Sequence, residues 1–192
     1  VRATVFVDVT DAPSYIGAVR FERAAAMYTI ISGEPVEIDY RACRAADPAW
    51  VGSAVNAARV TGIDLNVEEI VDADSTDAWR LLTWADQVRG DAQRDLLHQL
   101  WRAHFLEGAD IGDRFVLVSR AALVGLEMET AEALLASTEY ADEVKRQRET
   151  AAELGVVATP FVVVDAASTF AGLHSQDDYL QALHRIARGD PE

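Results

Sequence analysis

Asp11 and Ser14 stand three residues apart at the point where a β-branched apolar segment gives way to a helical pattern. An aspartate there is by residue type a helix N-cap, worth about 1 kcal/mol. The unpaired N–H groups of the first turn stabilise it as an anion, which makes it a poor general acid and a weak base. A serine in the first turn can serve the backbone or orient a reacting group. Sulfur chemistry is restricted: Cys43 is the one cysteine of the chain and cannot close a disulfide with its own chain. Disulfide exchange needs a thiolate to attack sulfur, which neither a carboxylate nor a hydroxyl can replace. Cys43 reads as a small buried hydrophobe, though Arg41 and Arg44 beside it would lower its pKa if it were exposed. His98 and His104 are six apart and do not share a helical face, His174 and His184 have no companion ligands nearby, and no glycine-rich phosphate loop is present. The residue types therefore offer no metal set.

The elements that must hold these groups follow from periodicity. Residues 4–9 form a strand by composition. A helix beginning at Asp11 carries apolar residues near helical spacing at Ile16, Val19, Ala24, Met27, Ile30 and Ile31, and Gly33 with Pro35 stops it. Val36 to Tyr40 alternates as a second strand. From Ser75 to Leu154 almost every window is helical, with helices expected over 76–89, 92–106, 115–124, 130–136 and 139–154. Phe161 to Val164 returns to strand, Thr169 to Ala171 is its hairpin partner, and 176–188 is an amphipathic helix. Trp84, Trp101 and Phe105 are expected to pack the helical stretch.

With 192 residues, half of them apolar, the chain can bury a sizeable core. Its formal charge of −15 repels phosphate backbones and anionic membranes, so nucleic acid and membrane partners are not expected. Val1 to Val9 carries Asp8 and no basic stretch, which leads to the expectation of a cytoplasmic protein. The oligomeric state is left open, with a homodimer among the arrangements to be considered.

Residues 8–17, Asp-Val-Thr-Asp-Ala-Pro-Ser-Tyr-Ile-Gly, resemble the opening of the DsbA family of disulfide oxidoreductases, in particular its FrnE-like branch, where the pattern is Asp-Val-x-Cys-Pro-x-Cys-Tyr-Ile-Gly. The resemblance continues through Arg20-Phe21-Glu22, through residues 103–111 and through residues 152–161, so that it spans the chain. It implies an α/β, thioredoxin-like fold with an all-helical insertion, the thioredoxin-like part over 1–74 and 155–192 and the insertion over 75–154. It also implies a cis bond between Thr159 and Pro160, and a crevice in which the backbone before that proline pairs with an extended ligand. Asp11 then takes the place of the attacking cysteine and Ser14 that of the resolving cysteine, and Trp79 stands where the FrnE-like pattern carries histidine.

Candidate catalytic residues are thus Asp11 and Ser14, with Tyr15, Thr159 and Pro160 as candidate substrate-binding residues. Three functions are compatible with this reading. The first is a DsbA-like protein without redox activity that binds a peptide or small molecule. The second, by resemblance to kappa-class glutathione transferases and 2-hydroxychromene-2-carboxylate isomerases, is a transferase or isomerase using glutathione or mycothiol, with Ser14 or Thr159 positioning the thiol. The third, by the FrnE-like resemblance alone, is an isomerase or tailoring enzyme for aromatic compounds.

Overall fold

The computed structural model describes residues 1–44 and 51–189, the side chains of residues 51–53 excepted. Strand β1 (Arg2–Val7) is central because Val5 and Val7 are apolar and β-branched, and both are fully buried. It pairs in parallel with β2 (Glu37–Ala42), Val5 opposite Tyr40, and antiparallel with β3 (Phe161–Val164), Val5 opposite Val162. Strand β4 (Ser168–Ala171) closes the order β2-β1-β3-β4 as the antiparallel hairpin partner of β3.

Helix α1 (Ala12–Ser32) joins β1 to β2, and α8 (Gln176–Ala187) packs along it, with Phe21 and Tyr179 meeting edge to face at 5.2 Å. Gly33 ends α1 in the left-handed region at φ 77°, where glycine carries no steric penalty, and its N–H reaches the carbonyl of Thr29. The apolar spacing of α1 differs from expectation in what it buries. Ile16 and Ala24 are in the core, but Met27, Ile30 and Ile31 are exposed. Tyr15, Ala18, Phe21, Ala25 and Tyr28 take the buried positions. The first two turns are covered on every side, so a single apolar stripe does not describe this helix.

Two further differences have local causes. β1 stops at Val7 rather than Val9, since the Asp8 side chain accepts from the N–H and hydroxyl of Thr10 and turns the chain. Helix α2 (Val51–Thr61) has no counterpart in the sequence reading because its glycine, β-branched and small polar residues are weak helix formers. It packs against α1, where the Arg20 guanidinium donates to the Ala57 carbonyl and the Thr61 hydroxyl.

The chain divides into two compact units, Val1–Ile63 with Ala151–Glu192, and Asp64–Thr150. The second unit is helical: α3 (Thr76–Val88), α4 (Ala92–Phe105), α5 (Arg114–Leu123), α6 (Met128–Ala136) and most of α7 (Ala141–Glu153). Trp79, Leu81, Leu96, Leu97 and Trp101 are fully buried, and Trp84 and Phe105 are buried as well. The indole N–H of Trp79 has no hydrogen-bond partner among the described residues. None of the helices described is long and apolar enough to cross a membrane.

Candidate functional site

The first unit brings Asp11, Ser14 and Thr159 together. β1 delivers the chain to the Asp8–Thr10 turn, and Asp11 enters α1 with extended backbone angles, φ −107° and ψ 118°, as an N-cap requires. Its Oδ2 accepts from the Ser14 N–H at 2.7 Å, which satisfies one of the free donors of the first turn. The Thr159 hydroxyl donates to the same oxygen at 2.6 Å across 148 residues of sequence. No cationic side chain among the described residues reaches this carboxylate.

Ser14 has no surface exposure, and its Oγ accepts from the Asp8 N–H at 3.0 Å. The hydroxyl thus holds the turn that presents Asp11. Tyr15 is buried on the same turn, its N–H donating to the Asp11 carbonyl at 3.3 Å. The Thr159–Pro160 peptide bond is cis. The Pro160 ring lies against α1 at Gly17, where an added Cβ would stand 2.4 Å and 2.5 Å from the ring Cγ and Cδ. Even one methyl group at position 17 would therefore displace Pro160, and with it Thr159, from Asp11.

Electrostatics departs from the sequence reading. The helix start was expected to stabilise Asp11 as an anion, yet burial pushes its carboxyl above the ordinary 3.8. Hydrogen bonds from Thr159 and Ser14 pull it down without cancelling that cost, and the nearby Asp8 adds repulsion. Asp11 has 7 % of its surface exposed and Thr159 8 %, so desolvation is the largest influence on this carboxyl.

Asp8 and Gly17 complete the site and were not singled out from sequence. The signal for Asp8 was its spacing to Thr10, the pattern of an aspartate turn. For Gly17 it was a glycine five residues into an otherwise well-formed helix, which marks a close approach.

Cys43 follows β2 and is 1 % exposed in an apolar cluster with Phe6, Ala151 and Phe161. Its N–H donates to the Val7 carbonyl at 3.1 Å, so it extends the β1–β2 pairing rather than belonging to the Asp11 site. A cavity of about 680 Å³ opens between the C-terminal ends of α1 and α8, lined by Tyr28, Glu34, His184 and Arg188 among others. Another of about 350 Å³, lined by Phe115, Val118, Met128 and Leu135 among others, lies in the helical unit. Neither includes a residue of the Asp11 site.

The model of the DSBA-like thioredoxin domain matches residues 3–184. Among solved structures, a probable DsbA oxidoreductase of Streptomyces coelicolor is similar at 27 % identity and a TM-score of 0.85, over 100 % of this chain and 91 % of that one. The cytosolic disulfide reductase DsbM of Pseudomonas aeruginosa, solved with GSH, aligns at 18 % identity and a TM-score of 0.71, over 98 % of this chain and 100 % of that one. A 2-hydroxychromene-2-carboxylate isomerase aligns at 16 % identity and a TM-score of 0.73, over 99 % and 98 % of the two chains. These last two likenesses are of fold. Among curated protein sequences, none matches this chain. A family match that runs from β1 into α8, over a sheet and helices in the expected order, makes this chain a member of the DsbA-like thioredoxin-fold oxidoreductase family.

Proposed function

We propose that this protein does not carry out thiol–disulfide exchange and uses the crevice between the start of α1 and Thr159 to bind an extended peptide or a small molecule. The observation that carries the reading is the backbone of Thr159. Its N–H and C=O make no hydrogen bond among the described residues, although the residue is 8 % exposed, and its hydroxyl is already committed to Asp11. Covered backbone groups are normally paired, and an extended ligand adding like a strand would pair them. Ala158 and the exposed Val157 before it also make no backbone hydrogen bond among the described residues, which gives such a ligand a short stretch of backbone to follow.

The loss of redox chemistry follows from the side chains present. Asp11 and Ser14 hold the positions at which the family resemblance places the cysteines, and the thiol of Cys43 is enclosed in an apolar cluster. A thiol-cofactor enzyme is the alternative, suggested by a neighbour solved with GSH and by an isomerase of the same fold. Two features weigh against it. Ser14 Oγ is turned inward to the Asp8 N–H, and an Asp11 carboxylate would repel an incoming thiolate. Assignment to the FrnE-like branch rests on the motif residues, and a cytoplasmic location draws on the cytosolic neighbour as well as on the single cysteine.

Titration of the 15N-labelled protein with a blocked neutral pentapeptide, acetyl-Ala-Ala-norleucine-Ala-Ala-amide, tests the crevice. Saturable shifts of the Thr159 and Val157 amides are the expected result. Shifts confined to other regions, or none, would refute it. In parallel, millimolar glutathione should leave the melting temperature unchanged; a clear rise would move the thiol-cofactor alternative ahead.

A further inference from the structure

We infer that the crevice prefers a basic peptide, one whose lysine or arginine side chain meets the Asp11 carboxylate while its backbone pairs with Thr159. The inference rests on reading the crevice as a binding site and adds the chemistry of what enters it. Three observations converge.

Asp11 is nine-tenths covered; the Ser14 N–H and the Thr159 hydroxyl both donate to Oδ2, the Ser14 hydroxyl also acts on the carboxylate, and none of these groups is charged. Oδ1 receives neither a backbone N–H nor a cation among the described residues. Carboxylates buried to this degree are ordinarily paired with a cation, because desolvation otherwise disfavours the charge. A second carboxylate, Asp8, is buried at the same turn and acts on Asp11 as a like charge, so a ligand cation would relieve both repulsion and desolvation.

The Thr159 backbone supplies an independent anchor. The Thr159 hydroxyl reaches Oδ2 at 2.6 Å, so a peptide residue paired with the Thr159 backbone would place a long side chain within reach of Asp11. The whole chain adds long-range bias. A formal charge of −15 steers basic peptides toward the protein and repels acidic ones.

The preference has a pH signature. Asp8, from the turn between β1 and α1, is the charged group acting on Asp11; its other neighbours, Ser14 and Thr159, do not titrate. A ligand cation gains from Asp11 only while Asp11 is ionised. Its advantage therefore grows as pH rises through the elevated Asp11 titration and disappears at acid pH.

The test follows the Thr159 amide at low ionic strength with three blocked pentapeptides carrying lysine, norleucine or glutamate at the centre of four alanines. The lysine peptide is expected to bind ~10-fold more tightly than the norleucine peptide, equivalent to ~1.4 kcal/mol, and the glutamate peptide most weakly. Asp11→Asn, which keeps a good N-cap, should remove most of the lysine advantage and leave only the small, salt-sensitive part that the overall charge supplies. The wild-type series from neutral to acid pH gives the same comparison without mutation and should show the lysine advantage shrinking. Equal binding of lysine and norleucine peptides at Thr159 of the wild type would overturn the charge preference while leaving the crevice as a binding site. No peptide shifting Thr159 would overturn the crevice and the preference with it.

Discussion

Two buried charges, one in each unit, are treated in opposite ways. Arg80 in the helical unit is 4 % exposed, and each of its three guanidinium nitrogens donates to its own surroundings. It donates to the carbonyls of Glu139 at 2.7 Å, Leu134 at 2.6 Å and Ser137 at 2.8 Å, and pairs with Asp77 at 2.7 Å. These acceptors gather the end of α6 and the chain leading to α7 onto α3, so the charge is a structural clamp. Asp11 in the sheet-containing unit is buried to a similar degree among uncharged groups of Ser14 and Thr159, with no cation among the described residues and a second carboxylate nearby. The contrast teaches that burial alone does not mark a functional group. A buried charge met by an opposite charge of its own chain belongs to the fold, and one met only by uncharged groups is available to a cation from outside.

The comparison can be broken from either side. Arg80→Met should have the largest effect, a loss of about 3–5 kcal/mol in urea unfolding, because it leaves three carbonyls without their donor and takes the nearer cation from Asp77. A loss below about 1 kcal/mol would mean that the clamp is not what holds α6. Thr159→Val keeps the shape and removes the donor to Asp11, and about 2 kcal/mol should be lost, within the range for hydrogen bonds to charged groups. Gly17→Ala sets overpacking against the Pro160 ring, about 1–3 kcal/mol, against a helix-propensity gain of about 1 kcal/mol. A net loss of about 1 kcal/mol should appear, together with weaker binding at the Thr159 amide.

The smallest effect is a slope. Asp11 binds its proton more tightly in the folded protein than unfolded, so from pH 3.8 upward the native state holds more proton than the unfolded chain. Its contribution to stability therefore falls as pH rises through the elevated native titration and is constant above it. Asp11→Asn should lack this component. The stability of the variant minus that of the wild type, followed by urea unfolding across that range, should increase with pH; a difference flat in pH would show that Asp11 is not desolvated.

Much of this site was legible in residue order. A strand ahead of Asp11, a capping aspartate, a proline at the head of a late strand and the long helical stretch are each written in local chemistry, though the strand ends at Val7 rather than Val9. The family resemblance implied that Asp11 and Thr159 share a crevice, but not that their side chains bond directly. The pairing of Thr159 with Asp11 depends on β3 lying antiparallel to β1 in one register, which no local pattern specifies. The upward push on the Asp11 carboxyl is not written locally either, since a helix terminus is a local feature and burial is not. Arg80 carried no sequence signal beyond its spacing to Asp77, because its other partners are backbone carbonyls more than fifty residues away.

Dithiothreitol-driven reduction of insulin disulfides by the wild-type protein bears most directly on whether a carboxylate at the head of α1 has replaced sulfur chemistry with binding. The expected rate is that of buffer alone, with Asp11 and Ser14 in the crevice and the Cys43 thiol enclosed. Turnover clearly above buffer would contradict it.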